Sequence, residues 1–319
     1  MCTGVRFSDD KGQMFFGRNL DWTTDYGEKV VVTPRGYKYD SAFLGELEMK
    51  YAVIGMAIVA EDKPLYFDCG NEAGLAVAGL NFPGYAEYRG APTEGKINVA
   101  AYEFPLWVVM NFASVNEVME ALAEVEIIGQ ALSVDYQVSE LHWLIGDGER
   151  SIVVEYTAAG MEIFENEVDV LTNQPGYAWH QENLRNYMNL IGAEVQQARW
   201  GKATIKPFGS GALMEGLPGG YYPPARFVRA AYLNTRYPMQ SLEEANVARM
   251  FHTLQSVAMI DGAAMALDGK FEKTLYTSCY AAASGTYYYI TYDDLKIRTV
   301  KLTNFDLDAD KLWYNDGNG

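Results

Sequence analysis

Position 2 of the chain is a cysteine, directly behind Met1 in "MCTGVRFSDD". An aminopeptidase that trims a leading methionine in front of a small residue would leave Cys2 with a thiol and a free α-amine on one residue. Their reference pKa values are about 8.5 and about 7.7–8.0, so one can pass a proton to the other near neutral pH. That pairing is a nucleophile with its base attached. The stretch "FGRNLDW" then supplies Arg18 and Asp21 on what reads as the next strand. An arginine beside the thiol favours thiolate, and an aspartate beside the amine favours ammonium. The two residues are three apart and so do not share a face of an ideal strand; a strand end near Asp21 would relax that. From spacing alone, an ordinary edge-strand ion pair accounts for them equally well.

Other chemistry finds less support. His142, His180 and His252 lie far apart, and none belongs to an H-E-x-x-H pattern. Cys2, Cys69 and Cys279 are an odd number of cysteines without metal-type spacing. They argue for a reducing compartment rather than a disulfide framework. No phosphate-binding glycine loop follows a strand, and "GSGALMEG" lies in a loop. We therefore expect neither cofactor nor metal.

Strands and tight turns must position the first residues. "CTGVRFS" and "QMFFGRNLDW" flank "DDKG", a hairpin signal, and further strands follow through "PLYFDCGNEAGLAVAGLNF", which folds back at "GNEAG". Residues 98–132 carry helical periodicity, with Ser114 as N-cap of "SVNEVMEALAEV" and Pro105 kinking or starting a helix. A second hairpin turns at "GDGE". Helices are expected in "AWHQENLRNYMNLI", "PPARFVRAAYLNTRY" and "LEEANVARMFHTLQSVAMI", and a last hairpin in "TLYTSCYAAASGTYYYITYDD". Residues 200–225, rich in Gly and Pro, read as a long loop. Strand groups that bracket helix pairs without βαβ alternation predict an α+β layered domain with mostly antiparallel sheets.

The 319 residues include 42 acidic and 25 basic side chains, a formal charge of −17. That balance argues against nucleic acid and anionic membrane as partners. A hydrophobic content of 49% predicts a sizeable core. The first residues lack the basic and apolar regions of a secretory signal, and "YAVIGMAIVA" is about half a membrane span. A cytoplasmic location is expected.

Taken in order, "MCTGVRF", "FGRNLDW", "VTPRGY", "NEAGLAVAGLNFPGY", "EFPLW", "HWLIGDGERSIVVE", "DVLTNQP", "ENLRNYM" and "ARFVRAAY" resemble the bile salt hydrolases of the choloylglycine hydrolase family, within the N-terminal nucleophile hydrolases. The resemblance covers nearly the whole chain and implies a single domain over 1–319. The implied fold is an αββα four-layer sandwich of two stacked antiparallel sheets covered by helices. It places the family nucleophile on Cys2 and the active-site Arg and Asp on Arg18 and Asp21. The two active-site asparagines fall on Asn81 and Asn173, and the later arginine on Arg226.

The implied chemistry is hydrolysis of the amide of glycine- and taurine-conjugated bile salts through a thioester acyl-enzyme. In it the Cys2 α-amine carries the proton and Asn81 and Asn173 donate to the oxyanion. The resemblance also implies a homotetramer with an assembly loop near 190–222. Two other readings stay open. One is an acylase of the same fold acting on penicillin V or an acyl homoserine lactone, whose members tend to carry an aromatic residue where this chain has Asn81. The other is an oligomeric bile-acid-binding protein without turnover.

Overall fold

Asp9 builds the first turn. Its carboxylate accepts the backbone N–H groups of Lys11 and Gln13, and Gly12 takes the left-handed conformation at φ 78°. The turn joins β1 (Cys2–Ser8) to β2 (Met14–Trp22), with Cys2 opposite Leu20 and Gly4 opposite Arg18. The computed structural model describes residues 1–192, 197–266 and 268–314.

β1 and β2 lie in a seven-stranded sheet. Val170–Leu171 flanks β1, and Phe271–Ala281 flanks β2, followed by Thr286–Thr291 and Arg298–Lys301. An eight-stranded sheet stacks on it, in the order Gly160–Glu165, Ser151–Thr157, Leu141–Gly146, Ala76–Asn81, Lys63–Asn71, Val53–Ala60, Lys29–Thr33 and Trp313–Tyr314. The pairings within both sheets are antiparallel.

Helices cover the outer faces. α1 (Phe104–Asn111) packs on Lys63–Asn71 of the second sheet, and α2 (Val115–Leu122) follows it. α3 (Tyr177–Asn183), α4 (Pro223–Arg236) and α5 (Glu243–Gln255) lie on the other side, where α4 and α5 pack on β1 and β2. The αββα sandwich is thus as expected. Strand alternation explains it. Gly4 faces the second sheet, where an added Cβ would come within 3.1 Å of Leu144, while Phe7 faces Arg249 of α5. Val5, Phe7, Phe227 and Met250 join one buried cluster, each side chain stabilising the fold by roughly 1.5–3 kcal/mol.

The stretch 98–132 is less helical than its periodicity suggests. Ile97–Ala100 and Val125–Ile128 pair as short parallel strands outside the two sheets. Both are apolar runs too short for periodicity to separate strand from helix. Pro105 sits in the first turn of α1 and starts it, and Ser114 caps α2 by accepting the Glu117 N–H at 3.2 Å. The long loop carries a small hairpin, Ala198–Trp200 with Ala203–Ile205. Residues 193–196 of the expected assembly segment, and 267 and 315–319 of the expected domain, lie outside the described residues. Among the described residues no helix is long and apolar enough to cross a membrane.

Candidate active site

The register of β1 and β2 sets Cys2 two residues from the rung that carries Arg18, on the same face. Arg18 Nη2 donates to Cys2 Sγ at 2.7 Å. Its Nη1 donates to the carbonyls of Phe67 at 2.9 Å and Gly79 at 2.6 Å, both in the second sheet. The guanidinium is thereby fixed between the sheets. Burial works against its charge, but Cys2, Tyr276, Asp68 and Asp21 outweigh that and leave it above its ordinary pKa.

β2 does not end at Asp21. It runs on to Trp22, with a register shift opposite Thr274–Tyr276. Asp21 therefore lies on the face opposite Arg18 and meets a different arginine, with its Oδ2 3.9 Å from Arg226 Nη1. Thr274 donates to Asp21 Oδ1 at 2.6 Å, while the buried Oδ2 has no hydrogen-bond partner among the described residues. Burial pushes the Asp21 carboxyl up, and Arg226, the chain's amine and Thr274 pull it back.

Cys2 connects the two faces. Its backbone N–H donates to Asn173 Oδ1 at 2.8 Å, and its carbonyl accepts from Arg226 Nη1. Arg226 also donates to Asn173 Oδ1 and to Thr3 Oγ1, each at 2.7 Å. Burial lowers the pKa of this arginine, against the opposing pull of Asp21, Cys2 and Glu272. Asn173 Nδ2 donates to the Asn81 carbonyl at 2.6 Å. Cys2, Arg18, Asp21, Asn173 and Arg226 thus form one buried network.

The Asn81 side chain lines the adjoining cavity and makes no hydrogen bond among the described residues. The chain's amine is that of Met1, held by the Asp21 carbonyl and, at 2.9 Å, by Glu272 Oε2.

None of the histidines is hydrogen-bonded to Cys2 among the described residues. His142 Nε2 donates to the Thr172 carbonyl at 2.8 Å, and His180 Nε2 to the Asn173 carbonyl at 2.9 Å. They bracket the backbone that presents Asn173. Burial lowers His180 to about 4, so it stays neutral near neutral pH. Burial also pushes the thiols of Cys69 and Cys279 up. Among the described residues no group of His, Cys, Asp and Glu is arranged to hold a metal.

The cavity that reaches Cys2 and Arg18 has a volume of about 470 Å³. Trp22 and Tyr26, Asn81 and Pro83, and Val138–Leu141 line it, so the loops after Trp22 and Asn81 contribute as expected. The third contribution starts at Val138, just past the expected 127–137. Burial, with a smaller contribution from the nearby Cys2, holds the Tyr26 phenol up at about 12.

Sequence reasoning missed the wall formed by Ile58, Leu65, Tyr66 and Phe67, and by Ala101, Tyr102 and Pro105. These are apolar residues at a hairpin and at the start of α1, and they look like core in a sequence. Glu272 and Asp68 were also missed. Their signal is a carboxylate inside a mostly apolar or hydroxyl-bearing strand, alone in "PLYFDCG" and beside Lys273 in "FEKTLYTSCYA".

A family model described as linear amide C–N hydrolases, choloylglycine hydrolase family, matches residues 2–314. A bile salt hydrolase/transferase from Bifidobacterium longum subsp. longum is 54% identical over 313 residues, spanning 98% of both chains. A conjugated bile acid hydrolase from Lactobacillus gasseri is 47% identical over 98% of this chain and 99% of its own. The C2A mutant of conjugated bile acid hydrolase from Clostridium perfringens superposes with a TM-score of 0.92 at 36% identity, covering 99% of this chain and 96% of that one.

Proposed function

The chain belongs to the choloylglycine hydrolase family of linear amide C–N hydrolases, and on that premise we propose that it hydrolyses the amide bond of glycine- and taurine-conjugated bile salts, with Cys2 as nucleophile. The observation that carries this reading is Cys2 at the wall of a largely apolar cavity with Arg18 Nη2 2.7 Å from its sulfur. The names of the similar proteins support the bile salt as substrate.

Loss of Met1 turns the Cys2 N–H into an α-amine. Asn173 Oδ1, already 2.8 Å away, then orients its lone pair. The amine takes the thiol proton as sulfur attacks the substrate carbonyl, and returns it to the departing glycine or taurine nitrogen. Arg18 holds the developing thiolate. The uncommitted Asn81 carboxamide and the second N–H of Asn173 donate to the oxyanion, a contribution of roughly 2.7–4 kcal/mol per donor. The resulting thioester is hydrolysed by water that the same amine activates. Asp21 orients the amine, and Arg226 ties Asn173 to the Cys2 carbonyl. The steroid fills the cavity between Trp22, Phe67 and Leu141, where apolar burial contributes about 25 cal/mol per Å². The small anionic end is left to solvent.

We further read the segment near 190–222 as an assembly arm of a homotetramer, and the protein as cytoplasmic. The exposure of Trp200 and Phe208 supports the first.

The direct test compares kcat/KM for glycocholate, taurocholate and penicillin V. Both bile salts should exceed penicillin V. A higher value for penicillin V would replace the substrate and leave the Cys2 chemistry standing. Turnover of none of the three, with Cys2 unreactive, would leave a binding protein.

A further inference from the structure

Asp68 is the one acidic residue in the strand Lys63–Asn71, and it is buried. Its carboxylate receives hydroxyl groups from the facing sheet. Tyr276 donates to Oδ1 at 2.5 Å, and Tyr287 and Ser278 donate to Oδ2 at 2.7 and 3.0 Å. Ser278 Oγ also accepts the backbone N–H of Arg18 at 3.2 Å. The neighbouring Phe67 carbonyl holds Arg18 Nη1. Asp68 is therefore linked to Arg18 through Ser278 on one side and through its own strand on the other. Burial pushes its carboxyl up, and Arg18 and the hydroxyl groups pull it back.

The buried charges of this region come in opposite pairs. Arg18, Arg226 and the chain's amine are positive, and Asp21, Asp68 and Glu272 are negative. A Cys2 thiolate adds a negative charge to a set already balanced. In a proton relay between thiol and amine this balance matters, because a thiol ionised too readily becomes a poorer nucleophile.

We propose that Asp68 is a positioning residue for Cys2: it fixes Arg18 and offsets part of the guanidinium's charge, so that the thiol keeps its proton until the α-amine takes it. The idea rests on Cys2 being the nucleophile. The groups facing Cys2 are Arg18, Arg226 and Tyr26, and those facing Asp68 are Arg18, Tyr276, Tyr287 and Cys69. Removing the Asp68 charge leaves Arg18 less compensated and favours the thiolate.

The test is the pH dependence of Cys2 alkylation by iodoacetamide in Met1-processed protein without substrate, with the labelled site mapped by peptide mass. Asp68→Asn should move the midpoint down by about half a unit or more and lower kcat more than it raises KM. Asparagine is nearly isosteric, and the hydroxyl groups can rotate to accept from its amide. Should that variant fail to fold, Tyr287→Phe removes one donor from a carboxylate that keeps its charge, leaves that charge less neutralised beside Arg18, and should move the midpoint up. A midpoint unmoved in a folded variant, raised in Asp68→Asn or lowered in Tyr287→Phe, would leave Asp68 as a clamp between the sheets and overturn the proposal. Alkylation that bypasses Cys2 in the parent protein would instead overturn the choice of nucleophile, so the two failures are distinguishable.

Discussion

Asn173 accepts the backbone N–H of Cys2 at 2.8 Å through Oδ1, while its Nδ2 donates to the Asn81 carbonyl at 2.6 Å. One carboxamide therefore spans from the chain start to the strand end that presents Asn81. Arg226, bound to the same Oδ1 at 2.7 Å, fixes its orientation.

Asn173→Ala removes both the amine's acceptor and the link to Asn81. A misplaced reacting group costs about 10²-fold, so kcat on taurocholate should fall by roughly that factor or more. KM should change little, because the oxyanion that Asn173 meets forms only in the transition state. Steady-state kinetics on the purified variant decide it, and a rise in KM at constant kcat would contradict the role.

The three cysteines should separate cleanly. Cys2 lines the cavity, whereas Cys69 and Cys279 are buried thiols held neutral. Intact-mass analysis after brief alkylation should show one adduct, on Cys2, and active protein should lack Met1. Cys2→Ala should abolish turnover, and Cys69→Ala and Cys279→Ala should retain it.

His180 makes the fold acid-sensitive. Its ring is buried, Nδ1 has no partner among the described residues, and its pKa is lowered to about 4. The unfolded chain binds that proton near pH 6.5 and the folded chain does not. The contribution is thus fully present above about pH 6.5 and lost as pH falls towards 4. Between pH 7 and pH 5 it amounts to about 2 kcal/mol. The buried Asp21 and Asp68, raised rather than lowered, act in the opposite sense. The comparison to make is therefore between parent and His180→Gln, which keeps a donor for the Asn173 carbonyl. Urea midpoints of the variant should fall less on acidification, and parallel curves would refute the assignment.

Trp200, 75% exposed, and the fully exposed Phe208 extend from the small hairpin region. Light scattering at micromolar concentration should give the mass of a tetramer, and Trp200→Asp with Phe208→Asp should reduce it. A monomeric mass for the parent protein would remove the assembly reading.

The αββα layering was legible because strand and helix patterns survive in short stretches, and the Asp9 turn and Ser114 cap are local chemistry. Asp21 was harder. Its spacing from Arg18 left the opposite faces unexplained, and only Arg226, more than two hundred positions later, gives the second face a partner. The short parallel strands Ile97–Ala100 and Val125–Ile128 were hidden by the helical periodicity between them. Asp68 was visible as a charge in an apolar strand, but its meaning depends on Tyr276, Tyr287 and Ser278, which no local pattern connects to it.

Phe67 has its side chain on the cavity wall, while its carbonyl holds the Arg18 guanidinium. Substrate range and reactivity thus meet in a single strand residue. A change there that enlarges the cavity also moves the backbone that aims Arg18 at sulfur. The loop residues Tyr26, Pro83 and Val138 touch the cavity and do not hold the guanidinium. Adaptation to new acyl groups has a free path through those loops and a constrained one through the strand. A library confined to the three loop positions should yield altered specificity at undiminished thiol reactivity more often than one centred on Phe67.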